Sequence, residues 1–133
     1  MEKVETTVLC VDDEENQLLL RKLILERAGY RVLTASSPAK AIEVFRSDHI
    51  DLLIVDYYMP GMTGLSLARE LLRLKKLPVV VLSAYAELPG ESIGSADTWI
   101  TKGAGSEELL QKLSELLARD STLHNRRLES PEA

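Results

Sequence analysis

The feature that most restricts the fold of this chain is an alternation of short apolar runs with longer stretches of helical period. The apolar runs are nearly continuous and several are rich in β-branched residues, which is typical of strands covered on both faces. Such an alternation predicts an α/β fold, with a parallel sheet, right-handed crossovers and helices on both faces. The five runs are VLCV (8–11), RVLTA (31–35), LLIV (52–55), VVVL (79–82) and TWIT (98–101).

Helical periods occupy the intervals between these runs and the stretch after the last one. Residues 15–29 predict a first helix whose apolar side includes Leu18, Leu19 and Leu23. The second predicted helix starts at Ser37, a good N-cap residue that precedes a proline at the first helical position. Two further helical periods lie at 64–76 and 106–119.

Two segments are less regular. A fourth helix is predicted between residues 84 and 96, but Pro89 and Gly90 indicate that it is short or irregular. No useful periodicity follows Asp120, and we therefore expect one folded domain over residues 1–120 and a polar flexible tail over residues 121–133. A chain of 133 residues suits a single domain with a core of its own.

Composition excludes some classes of partner and location. The formal net charge of −5 argues against direct binding to nucleic acid. No apolar run is long enough to cross a bilayer, and we expect no membrane contact. The single cysteine, Cys10, lies in an apolar run and fits a buried thiol in a reducing compartment. We therefore expect a cytoplasmic protein.

Charged and polar residues follow four of the five predicted strands at the point where each strand ends. In parallel sheets these ends meet at one edge, where functional sites form. If strands one, three, four and five are neighbours, we expect three carboxylates, one hydroxyl and one ammonium group to gather there. They belong to Asp12 and Asp13 after the first strand, Asp56 after the third, Ser83 after the fourth and Lys102 after the fifth.

The chemistry of such a group points to phosphoryl transfer. Crowded carboxylates repel one another, and a hard divalent cation relieves the repulsion. Mg2+ is the expected ion because it binds a few carboxylates and keeps several waters. A carboxylate such as Asp56 can attack phosphorus and form an acyl phosphate when positive charge, here the metal and Lys102, neutralises the transferring oxygens. Ser83 can donate a hydrogen bond to a phosphoryl oxygen.

Each residue also has an ordinary structural interpretation. Asp12 and Asp13 can cap and charge the first turn of a helix, and taken alone this is the better interpretation. Asp56 can be an exposed loop residue, Ser83 a turn residue and Lys102 a solvated lysine. The functional interpretation depends on their joint occurrence, in order, at four strand ends.

With these motifs in place, the sequence resembles the receiver domain of response regulators in two-component signalling. The resemblance covers about residues 6–118 and is carried by the motifs VLCVDDE, LLIVDYYMPGMTG, VVVLSA and WITKG. It implies a flavodoxin-like, doubly wound sheet of five parallel strands in the order 2-1-3-4-5, with five helices.

The resemblance also assigns roles at the acidic edge. It implies that Asp56 is the phosphoacceptor and a metal ligand, and that Asp13 binds Mg2+ directly. Asp12 would act as an outer-shell partner through water, and Tyr58 would contribute its backbone carbonyl to the metal. The chain would catalyse only its own phosphorylation and dephosphorylation, and would not be an enzyme acting on a separate substrate.

The remaining assignments concern the switch. Ser83 resembles the hydroxyl that moves onto the phosphoryl group, Lys102 the lysine that pairs with it, and Trp99 the switch aromatic, for which plain core packing is the alternative. The family usually has a proline after the lysine. Here Gly103 follows, so we expect a trans peptide bond and a looser loop around Lys102.

The implied partners are a histidine kinase or phosphotransfer protein as donor and an unidentified downstream protein. The downstream contact would use the face of predicted helix 4, strand 5 and helix 5, which could also form a homodimer. The alternative is a receiver that acts as a binding module without phosphorylation. Two enzyme classes fit poorly: a haloacid-type phosphatase needs a carboxylate where Tyr58 stands, and the acidic loop after the first strand would repel a flavin phosphate.

Overall fold

A computed structural model describes residues 5–84, 98–103 and 105–129, with side chains through residue 119. Five strands and four helices lie in the described segments, and each predicted strand is present to within one residue at either end. The strands are β1 (Thr7–Val11), β2 (Arg31–Ala35), β3 (Leu52–Asp56), β4 (Val79–Ser83) and β5 (Thr98–Thr101). The helices are α1 (Glu15–Arg27), α2 (Pro38–Ser47), α3 (Gly64–Leu74) and α4 (Ser106–Glu129).

The strands form one parallel sheet in the order β2-β1-β3-β4-β5, which confirms the predicted topology. β2 lies on one side of β1, and β3 lies on the other side. The order of strands therefore changes direction between β1 and β3, which are neighbours in the sheet. Their carboxyl ends diverge into different loops at this switch point, where open α/β sheets place their ligands. The register pairs Val11 with Val55 at the end of these two strands.

Two apolar layers hold the helices on the sheet. One layer packs α2 and α3 against alternate residues of the central strands, among them Leu9, Leu53 and Val81. The other packs α1 and α4 against the opposite face through Val8, Ile54 and their neighbours. The strands β1, β3 and β4 are buried along their whole length, as their continuous apolar sequence requires.

Local capping explains where two of the helices begin. The Ser37 hydroxyl accepts a hydrogen bond from the backbone N–H of Lys40 at 3.2 Å, which confirms the predicted N-cap of α2. The Thr63 hydroxyl plays the same part at α3, where it accepts from the N–H of Ser66 at 3.1 Å. This second cap fixes the point at which the loop after Asp56 turns into a helix.

The orientation of α1 differs from the prediction. Its buried side chains are those of Leu18, Arg21 and Leu25. Leu19 and Leu23, which were expected on the apolar side, are more than half exposed. The helix therefore turns an arginine toward the sheet and leaves leucines on the outside.

The last helix, α4, packs through a stripe of Leu109, Leu113 and Leu116. Its backbone continues to Glu129, past the predicted domain boundary at residue 120. The flexible tail over residues 121–133 thus stays a prediction, and its first nine positions have helical backbone. The predicted irregular helix between residues 84 and 96 lies outside the described residues apart from Ala84. Among the helices described, none has the length and apolar character to span a membrane.

Candidate functional site

Backbone hydrogen bonds at the carboxyl edge of the sheet bring the candidate residues into register. Beyond the end of β1, the N–H of Asp12 donates to the carbonyl of Ala35 at 3.2 Å. Beyond the end of β5, the N–H of Lys102 donates to the carbonyl of Ser83 at 2.7 Å. Asp56 is the last residue of β3 and pairs with Leu82 of the neighbouring strand. The sheet itself therefore fixes where each functional side chain starts.

The three predicted carboxylates come together at this edge. Asp12, Asp13 and Asp56 each offer a carboxylate oxygen, and these oxygens lie within 4.8 Å of one another. Asp12 is fully buried, Asp56 is 5% exposed and Asp13 is open to solvent. Two fixed carboxylates and one exposed carboxylate make a site that a solvated cation can approach from one side. Hard divalent ions, which prefer oxygen ligands, fit this donor set.

Lys102 bridges two of the three carboxylates. Its Nζ lies 2.9 Å from Oδ1 of Asp56 and 3.3 Å from Oδ2 of Asp12. The peptide bond to Gly103 is trans, as expected without a proline. With this glycine in place, the ammonium group still contacts Asp56 and Asp12. The looser loop around Lys102 stays a prediction.

For each of these ionisable groups, some features of its surroundings raise the pKa and others lower it. Burial raises the pKa of Asp56 above its usual range, the hydrogen bond from Lys102 lowers it, and the nearby negative charge of Asp12 raises it again. For Lys102, burial alone lowers the pKa. The hydrogen bond to Asp56 and the charge of Asp12 outweigh this effect, so that the net pKa is raised. The lysine therefore stays cationic at neutral pH between the two carboxylates.

The turn after Asp56 is shaped by two glycines. Gly61 has a φ of 86°, a left-handed conformation that side chains rarely adopt. Gly64 opens α3 directly against the strand end, where its N–H donates to the carbonyl of Tyr57 at 2.8 Å. A β-carbon on Gly64 would overlap the carbonyl oxygen of Asp56. The final glycine of the motif thus lets a helix begin in contact with the backbone that carries the candidate phosphoacceptor.

The other predicted residues lie on β4, on β5 and in the loop after β3. Ser83 is buried at the end of β4, where it pairs with Thr101, the residue before Lys102. The Trp99 ring packs against Tyr57, with centroids 5.5 Å apart, and its indole Nε1 is buried without a hydrogen-bond partner among the described residues. Tyr57 in turn meets the half-exposed ring of Tyr58 edge-on at 4.7 Å. The expected metal contact of the Tyr58 carbonyl stays a prediction.

Sequence reasoning missed one residue of the site. The guanidinium of Arg21 is 8% exposed, and its Nη1 lies 3.4 Å from Oδ2 of Asp12. The signal that could have revealed it is its spacing, because it stands three residues after Leu18 and four before Leu25. A charged residue on that buried line needs an opposite charge, and Asp12 is the acidic residue that α1 covers.

Comparison with known proteins agrees with this geometry. The family model of the response regulator receiver domain matches residues 8–114. Response regulator GtcR of Aneurinibacillus migulanus is 34% identical over 116 residues, which are 85% of this chain and 48% of GtcR. The phosphate regulon transcriptional regulatory protein PhoB of Pseudomonas aeruginosa is 35% identical over 123 residues, which are 87% of this chain and 53% of PhoB. The chain thus spans about half the length of these curated relatives.

Solved structures that resemble this chain are also response regulators. The response regulator TrrA of Thermotoga maritima, in complex with Mg2+ and BeF, matches with a TM-score of 0.78 and 35% identity over 84% of this chain and 98% of TrrA. A complex of the histidine kinase ThkA with TrrA gives a TM-score of 0.75 and 36% identity over the same shares of the two chains. A receiver domain protein of Methanospirillum hungatei matches with a TM-score of 0.84 and 27% identity over 90% of this chain and 98% of that one.

Proposed function

The chain belongs to the response regulator receiver domain family, and we propose that it is a phosphorylation switch whose phosphoacceptor is Asp56. One observation carries the proposal. Lys102 places its ammonium group 2.9 Å from Asp56 and 3.3 Å from Asp12, inside a cluster of three carboxylates at the carboxyl edge of the sheet. The same cation that neutralises Asp56 before transfer can pair with a phosphoryl oxygen after it.

Asp13, Asp56 and the backbone carbonyl of Tyr58 would hold Mg2+ directly, and Asp12 would contact it through water. The ion would supply positive charge that screens the incoming phosphoryl group from the carboxylates. The support for Mg2+ is the closeness of the three carboxylate oxygens and the Mg2+-BeF complex of the related TrrA.

The proposed reaction forms one bond and breaks one. A carboxylate oxygen of Asp56 attacks the phosphorus of a phosphohistidine, and the P–N bond of the donor breaks with its electron pair left on the imidazole nitrogen. The product is an aspartyl phosphate. Lys102 donates to one phosphoryl oxygen, and the hydroxyl of Ser83 donates to another. Burial of Asp56 limits the approach of water to its carboxylate.

The donor in this proposal is a histidine kinase or a histidine phosphotransfer protein. Support comes from the solved complex of TrrA with the kinase ThkA. It also comes from a groove between α1 and α4, which Leu20 and Ile24 line and which reaches Lys102. Leu19 and Leu23 extend this exposed apolar surface. Exposed apolar patches of this kind mark sites of protein contact.

The output of the switch is proposed to be a protein contact on the face expected for predicted helix 4, strand 5 and helix 5, of which the structure describes β5 and α4. Ser83 and Trp99 would carry the change from Asp56 to that face. The same face could form a homodimer. The free, buried thiol of Cys10 is consistent with a reducing compartment, and we place the switch in the cytoplasm.

The test is an intact-mass measurement after incubation with acetyl phosphate, with and without Mg2+. Wild type is expected to gain one phosphoryl group when Mg2+ is present. Asp56→Asn is the matched variant, because it keeps the shape of the side chain and removes the nucleophile. A wild-type chain that gains no phosphoryl group under conditions that preserve acyl phosphates would contradict the proposal and favour a binding module that works without phosphate.

A further inference from the structure

Arg21 is an arginine on the buried face of a helix. It lies between Leu18 and Leu25 on the side of α1 that packs against the sheet, and it is 8% exposed. Burial of a guanidinium group without a partner would cost several kcal/mol. The partner is Asp12, whose Oδ2 lies 3.4 Å from Nη1 of Arg21. The arginine is therefore held in place by a carboxylate of the acidic cluster.

The contacts of Asp12 show how this arginine affects the charge of the acidic cluster. Oδ1 accepts a hydrogen bond from the backbone N–H of Glu14 at 3.0 Å. Oδ2 faces both Arg21 at 3.4 Å and Lys102 at 3.3 Å. Asp12 thus keeps a cationic partner even when Lys102 turns to a new anion on Asp56. Three carboxylates and two cations leave the cluster with a net charge of −1, and without Arg21 it would be −2.

We propose that Arg21 is a positioning residue that weakens Mg2+ binding by neutralising and holding Asp12. This inference rests on the proposed function, because it assumes that the three carboxylates bind Mg2+. A cation fixed beside one of the carboxylates repels the incoming metal ion, and the low exposure of the pair limits screening by solvent. The arginine therefore keeps the metal site from binding Mg2+ as tightly as its carboxylates alone would.

The test measures Mg2+ affinity through folding stability, so that it does not depend on phosphorylation. Urea unfolding, followed by the fluorescence of Trp99, is repeated over a series of MgCl2 concentrations. The rise in the free energy of unfolding with Mg2+ gives the Kd. Arg21→Gln removes the charge and keeps a donor for Asp12, and its Kd for Mg2+ is expected to be roughly tenfold lower than that of wild type. Arg21→Met is the second charge-removing variant, in case the first does not fold.

Two control variants separate charge at this position from other effects. Arg21→Lys keeps the charge and is expected to retain the Kd of wild type. Lys22→Met removes the same charge from the neighbouring, partly exposed position of the same helix and is expected to leave the Kd unchanged. A purely structural role for Arg21 cannot produce tighter binding, because damage to the site weakens its affinity for the metal.

The outcomes distinguish this inference from the proposed function. Mg2+-dependent stability in wild type, with an equal or higher Kd in both charge-removing variants, would overturn the role of Arg21 alone. Stability of wild type that does not change with Mg2+ would overturn the metal site and, with it, this inference. Equal tightening by Lys22→Met would also overturn it, because net charge would then be the cause.

Discussion

Substitution of Gly64 by alanine tests how the loop after β3 holds the candidate phosphoacceptor. A β-carbon at this position would overlap the carbonyl oxygen of Asp56, and it would stand 2.9 Å from the carbonyl carbon and 3.0 Å from Cγ2 of Val55. The two closest obstacles are backbone atoms, which cannot rotate away as a flexible side chain can. Either α3 or the end of β3 must therefore move.

The expected cost follows from two opposing terms. Overpacking in a filled site costs about 1–3 kcal/mol. The preference of helices for alanine over glycine offsets at most about 1 kcal/mol, and less at the first residue of a helix. We expect Gly64→Ala to lower the free energy of unfolding by about 1–2 kcal/mol, which shifts the midpoint of urea unfolding by about 1 M. Displacement of the Asp56 backbone should also slow phosphorylation by acetyl phosphate.

Urea unfolding followed by the fluorescence of Trp99 measures the stability, and intact mass against time measures the phosphorylation rate. Gly105→Ala is the matched control, because a β-carbon at Gly105 would meet no atom within 4 Å. Its stability and phosphorylation rate are expected to stay close to those of wild type. If Gly64→Ala unfolds at the same urea concentration as wild type, the close approach of α3 to Asp56 does not constrain the site.

Two further predictions follow from buried ionisable groups. Burial raises the pKa of Asp56 in the folded chain above its value of about 4 in the unfolded chain. The protonated carboxyl therefore contributes stability below the unfolded pKa, and this contribution is lost as the pH rises through the folded pKa. Asp56→Asn is therefore expected to unfold at a higher urea concentration than wild type at pH 7 but not below about pH 4. A variant that is less stable than wild type at pH 7 would refute this. Burial also raises the pKa of the Cys10 thiol to about 12, so iodoacetamide should alkylate it slowly in the folded chain and rapidly in urea. Equal rates in the two conditions, followed by mass spectrometry, would show that the thiol is open to solvent.

Much of the fold and of the acidic edge was predictable because two strong patterns agree. The continuous apolar runs at 52–55 and 79–82 indicate strands that are covered on both faces, and the residue after each run then lies at the carboxyl edge. The positions of Asp56 and Ser83 follow from this pattern alone. Whether these two residues lie close to Lys102 depends on the strand order, which the resemblance supplied and the structure confirms.

The orientation of α1 was not predictable, because the helix has apolar side chains nearly all round. Leu18 and Leu25 define one line, and Leu19 and Leu23 define another with similar hydrophobicity. Periodicity cannot choose between two such lines. In the structure Arg21 pairs with Asp12 on the buried side, and Leu19 and Leu23 lie at the surface. Burial of the first line thus goes together with a tertiary ion pair, whose partner Asp12 lies outside the helix.

The extension of α4 past residue 119 has no counterpart in the sequence pattern. The segment after Asp120 has no regular apolar line, and its sequence alone predicts no packed helix. Its backbone nevertheless continues the well-packed helix that begins at Ser106. Propagation of an existing helix adds one hydrogen bond for each residue fixed, whereas a new helix must first form a costly nucleus. The preceding turns therefore support a helix that the later residues would not start.

The most direct test of the central claim is to identify the residue that carries the phosphoryl group. The chain is phosphorylated with acetyl phosphate and Mg2+, and the acyl phosphate is reduced with borohydride, which converts the modified aspartate to homoserine. The peptides are then mapped by mass spectrometry. If Asp56 is the phosphoacceptor, homoserine is expected at position 56 and not at Asp12 or Asp13. Homoserine at either of these two positions, or at no aspartate in a chain that had gained a phosphoryl group, would contradict this role of Asp56.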